Sequence, residues 1–144
     1  MGTSNFSGST AYPGAIHVTV DDQVEMRDGL HLSTDVYLPR AYDQSAAAKF
    51  PCVLIRTPYN NGSTVNIRKA RSLADSGYAC VLQDVRGRWD SDGSWDPFLA
   101  EAEDGYDTQT WIGQQPWSNG RIGMSGRSYL GAVQWLSAPL SNPN

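Results

Sequence analysis

Two short apolar runs without alternation, Cys52-Val53-Leu54-Ile55 and Ala79-Cys80-Val81-Leu82, bracket a segment patterned for a helix. Uninterrupted apolar runs of this length suit strands covered on both faces, as in a parallel sheet. Between them, Thr64 to Ser76 places Ile67, Ala70, Leu73 and Ala74 at helical spacing, with Ser63 or Thr64 as N-cap and Gly77 as the residue just past the end. The result is a strand–helix–strand unit, and a parallel crossover of that kind restricts the chain to an α/β architecture.

The flanks extend the pattern. Ile16, Val18 and Val20 alternate with His17, Thr19 and Asp21. After the turn Arg27-Asp28-Gly29, Leu30, Leu32, Thr34, Val36 and Leu38 alternate with His31, Ser33, Asp35 and Tyr37. Period two across a Gly-containing turn predicts antiparallel strands with one solvated face. Pro39 ends the second strand, and residues 41–49 read as a loop. Downstream, a helix is expected from about Leu99 to Gly113, capped by Asp96-Pro97. Its early acids Glu101, Glu103 and Asp104 read as a solvated turn matched to the helix dipole. Gly105 inside it costs about 1 kcal/mol relative to Ala. A Pro/Gly loop (Pro116 to Gly120), a short strand (Ile122 to Met124) and a helix (Tyr129 to Leu136) follow. The order β-β-β-α-β-α-β-α is that of an α/β unit over residues 15–144, parallel after an antiparallel opening, preceded by a flexible leader at 1–14 that is rich in Gly, Ser and Thr.

Composition narrows the function classes. Eleven basic residues against 15 acidic give a net charge of -4, so the chain has no general attraction to nucleic acid or anionic lipid. No apolar run approaches the length that crosses a bilayer, and the leader lacks a signal-peptide core, so a cytoplasmic location is expected. Cys52 and Cys80 sit in apolar runs without zinc spacing and read as inert buried thiols. No metal or cofactor is expected.

The sharpest local signal is Gly123-Met124-Ser125-Gly126-Arg127-Ser128-Tyr129-Leu130-Gly131. A strand running through glycine and serine straight into a helix forces a tight junction. Such a turn lifts a serine hydroxyl out at the carboxyl edge of the sheet, with the helix N-terminus behind it. Ser125 competes with Ser128 for that position but lies too close to the strand to occupy the apex.

With its neighbours, this block resembles the cocaine esterase and X-prolyl dipeptidyl peptidase group of α/β-hydrolases, which includes the α-amino acid ester hydrolases. The resemblance covers residues 22–137. It rests on Arg27-Asp28-Gly29 with Asp35-Val36-Tyr37-Leu38-Pro39, then Arg56-Thr57-Pro58-Tyr59, then Gln83-Asp84-Val85-Arg86-Gly87-Arg88 with Ser91-Asp92-Gly93. Asp104-Gly105-Tyr106-Asp107-Thr108 with Trp111, Gln115-Pro116-Trp117-Ser118-Asn119-Gly120, and Gly126 to Gly131 complete it. Six blocks in one order are specific. The resemblance implies the N-terminal part of an α/β-hydrolase fold, truncated after the elbow helix. It implies a serine hydrolase that cleaves a small-molecule ester, an amide or a short peptide through an acyl-enzyme. Ser128 matches the nucleophile, Tyr59 the phenol that donates to the oxyanion, and Tyr129 the residue whose backbone N–H is the second donor. On its residues alone, Tyr59 reads as an amphipathic loop residue anchoring Pro58.

The general base is a different matter. His17 and His31 fall on the polar faces of the opening strands, and neither follows the serine in the Ser…Asp…His order of this fold. The chain therefore reads as an N-terminal piece or truncated relative that is inactive alone. Self-association or complementation by a C-terminal segment is expected, and a hydrolase-fold protein that only binds is the alternative. Three other features read more plainly. Asp90, Asp92, Ser94, Asp96 and Glu101 mimic a calcium loop, but Trp95 stands where that loop needs glycine, which leaves a solvated turn. Asp84 and Arg86 either line a pocket or pair with each other to brace their loop. The tryptophans at 89, 95, 111, 117 and 135 either shape an acyl pocket or, for the most part, fill the core.

Overall fold

The computed structural model describes residues 15–43 and 47–143. The leader at 1–14 and residues 44–46 of the expected loop lie outside them. The elements in chain order are β1 (His17–Glu25), β2 (His31–Leu38), β3 (Phe50–Thr57), α1 (Thr64–Asp75), β4 (Ala79–Asp84), α2 (Glu101–Gln114), β5 (Ser118–Met124) and α3 (Tyr129–Ser137). A short 3₁₀ turn, Ala138–Leu140, follows α3. One five-stranded sheet has the order β1-β2-β4-β3-β5, with β3 parallel to both β4 and β5 and the two opening strands antiparallel. The strand–helix–strand unit read from the two apolar runs is present.

Alternation divides the core between the two faces. Val36, Leu38, Phe50, Cys52, Leu54, Ala79 and Val81 face Ile112 and Trp117, while Tyr37, Ile55, Cys80 and Leu82 face Ala70 and Ala74 of α1. Helix α1 starts as expected, with the Ser63 hydroxyl accepting from the Asn66 N–H at 3.3 Å. Both cysteines are buried and free, and burial pushes the Cys80 thiol up to about 12.

Several expectations are corrected. Strand β2 has no solvated face: Ser33, Asp35 and Tyr37 are buried beside Leu32, Val36 and Leu38, because helix α1 packs on Tyr37 while Asp21 of β1 bonds to Ser33 and Asp35 and Ser91 closes on Ser33. The alternation in β1 breaks at a bulge between Thr19 and Asp22, where Asp21 takes φ 56°. One extra residue flips the side-chain phase. Ile16 and Val18 thus pack toward α1, Val20 is exposed, and Val24 packs with Met26 and Leu32 against Trp111. Asp96-Pro97 does not cap α2: Ala100 holds that position without a side-chain bond, because Asp96 and Leu99 close a separate turn first. Ser118 to Gly120 belongs to β5 rather than to a loop, drawn in by pairing of Phe50 with Ser118. Gly105 has a packing reason. A Cβ there would lie 2.9 Å from the Ser137 Cβ, so its absence lets α2 approach α3.

Among the described residues no helix is long and apolar enough to cross a membrane.

Candidate active site

The junction between β5 and α3 is built as a sharp elbow. Ser125, the first residue past β5, keeps a bond to the neighbouring strand, its N–H donating to the Leu54 carbonyl at 3.1 Å, and its hydroxyl accepts from Lys69 Nζ at 2.8 Å. Gly126 then turns the chain at φ +148°, and a Cβ there would sit 2.3 Å from the Leu130 Cβ. Ser128 is the N-cap of α3 with φ 58° and ψ -126°. This is a costly conformation for a residue with a side chain, and such strain gathers at functional sites. A serine at an N-cap ordinarily accepts a bond from the helix N–H groups, yet the Ser128 hydroxyl makes no capping bond and the residue is exposed. The first bonds onto the Ser128 carbonyl come from Gly131 (3.0 Å) and Ala132 (2.9 Å), leaving the N–H groups of Tyr129 and Leu130 ahead of the ladder.

Tyr59 follows β3 on an adjoining loop. The residue is 58% exposed, and its ring meets the Tyr129 ring edge-on, with centroids 6.4 Å apart. The loop is held from several sides. The Tyr59 N–H donates to Thr57 Oγ1 (3.0 Å), Arg88 Nε (3.1 Å) and Trp89 Nε1 (3.0 Å) both donate to the Pro58 carbonyl, and the Asn61 N–H donates to Asp84 Oδ1 (2.8 Å). Arg88 and Trp89, not the Tyr59 ring, therefore anchor Pro58. Burial pushes the Asp84 carboxyl up to about 7, and its second oxygen has no hydrogen-bond partner among the described residues.

Asp84 and Arg86 do not pair with each other. Arg86 reaches Asp104 through Nε (3.0 Å) and Nη2 (2.6 Å), also meets Asp28, and lines a small hollow with Trp95, Leu99 and Glu101. The acidic turn of α2 is not solvated either. Glu101 and Asp104 are buried against Arg56 and Arg86, and only Glu103 is exposed, near Arg27. Of the residues resembling a calcium loop, Asp90, Asp92, Ser94 and Asp96 are exposed on a turn, Asp92 accepting from the His31 N–H, whereas Glu101 is buried and pairs with Arg56. Most of the tryptophans are not core. Trp117 is buried and Trp111 partly so, whereas Trp89, Trp95 and Trp135 are exposed.

The His17 ring lies tilted against Tyr42, and His31 lies beside Asp92. Strand β2, which carries His31, is separated from β5 by β4 and β3, a lateral distance of about 14 Å at ~4.8 Å per strand.

A mixed sheet whose β4, β3 and β5 run parallel, with an exposed, strained serine between strand and helix, is the arrangement of an α/β-hydrolase elbow. The sequence profile of the X-Pro dipeptidyl-peptidase (S15) family matches residues 28–144. The chain belongs to that family. It is 38% identical over 130 residues to cocaine esterase from Rhodococcus sp. (strain MB1 Bresler), a match covering 87% of this chain and 22% of that protein. Among solved structures it resembles a CocE/NonD family hydrolase from Staphylococcus aureus, with TM-score 0.77 and 29% identity over 89% of this chain and 26% of the other. It also resembles an α-amino acid ester hydrolase, with TM-score 0.72 and 28% identity over 94% and 25%. The S15 chain described here thus spans about a quarter or less of the length of each of these relatives. Its fold matches a part of the α/β-hydrolase fold of the CocE/NonD type.

Proposed function

We propose that this chain carries the nucleophile half of a serine hydrolase that cleaves esters or amides. The observation that carries the reading is Ser128, held at φ 58° on the apex of the elbow with its hydroxyl free of capping duty. Ser128 Oγ attacks the substrate carbonyl carbon as a base takes its proton. The carbonyl oxygen becomes an oxyanion, the leaving group departs with a proton, and water then releases the acid from the acyl-serine. The Tyr129 N–H at the start of α3 and the Tyr59 phenol are the oxyanion donors. The aspartate and histidine come from outside these 144 residues, since His31 lies three strands away from the elbow strand. The names of the relatives bracket the substrate class as small esters, amino-acyl esters and X-Pro peptides.

The positions of His17 and His31 favour a second reading for the 144 residues taken alone, that of a hydrolase-fold unit that binds without turnover. The discriminating experiment is Ser128→Ala in the full-length gene product. Loss of p-nitrophenyl ester hydrolysis with an unchanged circular dichroism spectrum is expected, and turnover within a few-fold of the parent would overturn the nucleophile assignment.

A further inference from the structure

A row of polar side chains crosses the sheet on its α2 face and ends at the elbow. Register creates it: Thr34 pairs with Gln83, and Gln83 with Arg56, so their side chains stand side by side on β2, β4 and β3. Gln83 Nε2 donates to Thr34 Oγ1 (3.2 Å), and Arg56 Nε donates to Gln83 Oε1 (2.8 Å). Arg56 Nη1 donates to the Glu101 carboxylate (2.7 Å) and to the Glu101 carbonyl (3.1 Å). The other Glu101 oxygen accepts from the Tyr129 hydroxyl at 2.7 Å. Arg56 and Glu101 are both buried, with side-chain exposures of 0% and 5%.

The Tyr129 hydroxyl is saturated. It donates once to Glu101 and accepts from Trp95 Nε1 and the Phe98 N–H, each at 3.3 Å. Phe98 takes φ 69° to make that contact, and its ring stacks on Tyr129 at 4.5 Å. The residue that follows Ser128 is therefore fixed at its far tip, while its backbone N–H stands in the first turn of α3, ahead of the helix ladder. Burial, helped by the bond to Glu101, raises the Tyr129 phenol, so it keeps its proton and remains a donor at neutral pH.

We propose that Glu101 is a positioning residue for the reaction. Through the Tyr129 hydroxyl it fixes the turn that carries Ser128 and the Tyr129 N–H, and through Arg56 it ties that turn to the strand delivering Tyr59. This rests on the oxyanion roles assigned above and deepens them. Both oxyanion arms are linked through this carboxylate: Glu101 holds the Tyr129 hydroxyl and Arg56 directly, and Tyr59 lies three residues past Arg56 with its ring edge-on to Tyr129. Buried ion pairs add little net stability over apolar packing, although removing one partner is costly, and the role of this one is the geometry it imposes on the turn. Oxyanion donors act only when placed about 2.7–3.1 Å from the developing charge, so loosening the clamp slows chemistry without weakening substrate binding.

The test is steady-state hydrolysis of p-nitrophenyl acetate by the full-length gene product and its Tyr129→Phe and Glu101→Gln variants, with Ser128→Ala and Tyr59→Phe as controls. Tyr129→Phe keeps the backbone N–H and the ring, and is expected to lower kcat about tenfold or more with KM changed less than twofold. Glu101→Gln keeps an acceptor for the phenol and a partner for Arg56, and is expected to lower kcat by a smaller factor. A rise in KM with kcat intact in Tyr129→Phe overturns the proposal, as does a parent-like kcat in Glu101→Gln. If Tyr129→Phe does not fold, Glu101→Gln alone decides by the same criterion. Turnover surviving in Ser128→Ala defeats the functional reading itself. Ser128→Ala inactive and Tyr59→Phe slowed, with both clamp variants at parental kcat, defeats the clamp and leaves that reading standing.

Discussion

Asp84→Asn is expected to stabilise the protein in alkaline but not in acidic solution. Asp84 is fully buried at the end of β4. One oxygen accepts from the Asn61 N–H, the other has no partner among the described residues, and Asp90 and Asp35 add negative charge nearby. Burial is the main cause of its rise from 3.8 to about 7. Between pH 4 and 7 the folded chain holds a proton that the unfolded chain has released. Stability therefore falls as pH rises through that window and levels off above pH 7. A rise of about three units sets an upper limit of about 4 kcal/mol in the alkaline range, at 1.36 kcal/mol per unit, and screening by solvent reduces it. Asparagine has nearly the same shape and does not titrate. Thermal unfolding of parent and variant from pH 4.5 to 8.5 is the assay. The Tm difference, variant minus parent, should climb by several degrees up to about pH 7 and then hold constant. A difference that is the same at pH 4.5 and 8.5 would refute the claim that this carboxyl is desolvated and protonated in the fold.

Tyr59→Phe should lower kcat by about 10²–10³-fold with little change in KM, as for loss of one oxyanion donor; an effect on KM alone would point to a binding role instead. Gly126→Ala should reduce kcat by about 10²-fold, because its Cβ would be driven to 2.3 Å from the Leu130 Cβ and displace the elbow; parental kinetics in a folded variant would contradict that geometry. The 144-residue chain made alone should associate in size-exclusion chromatography with light scattering, since β5 pairs only with β3 among the described residues and leaves one edge open; a sharply melting monomer would contradict this.

The parts of the fold legible in sequence were those written in periodicity. The apolar runs at 52–55 and 79–82 marked β3 and β4, and Ser63 and Gly77 marked the ends of α1, because local pattern and tertiary environment agree there. Strand β2 misled, since Ser33 and Asp35 look solvent-facing until contacts with Asp21 and Ser91, distant in sequence, cover them. The elbow was legible at Ser128 because glycines and strand–helix order leave a local trace. The Glu101–Tyr129 clamp was not. Glu101 and Asp104 look like a dipole-matched surface turn, and only their long-range pairing with Arg56 and Arg86 buries them. One signal pointed that way: Arg56 continues the apolar run Cys52 to Ile55, and an arginine ending a strand covered on both faces needs a buried acid.

The most direct test of the central claim is to treat the full-length gene product with a fluorophosphonate and map the adduct by peptide mass spectrometry. A single adduct on the peptide containing Ser128, absent in Ser128→Ala and formed normally in Ser125→Ala, is the expected result. An adduct on Ser125 or elsewhere, or no adduct on an enzyme that turns over ester, would contradict the account.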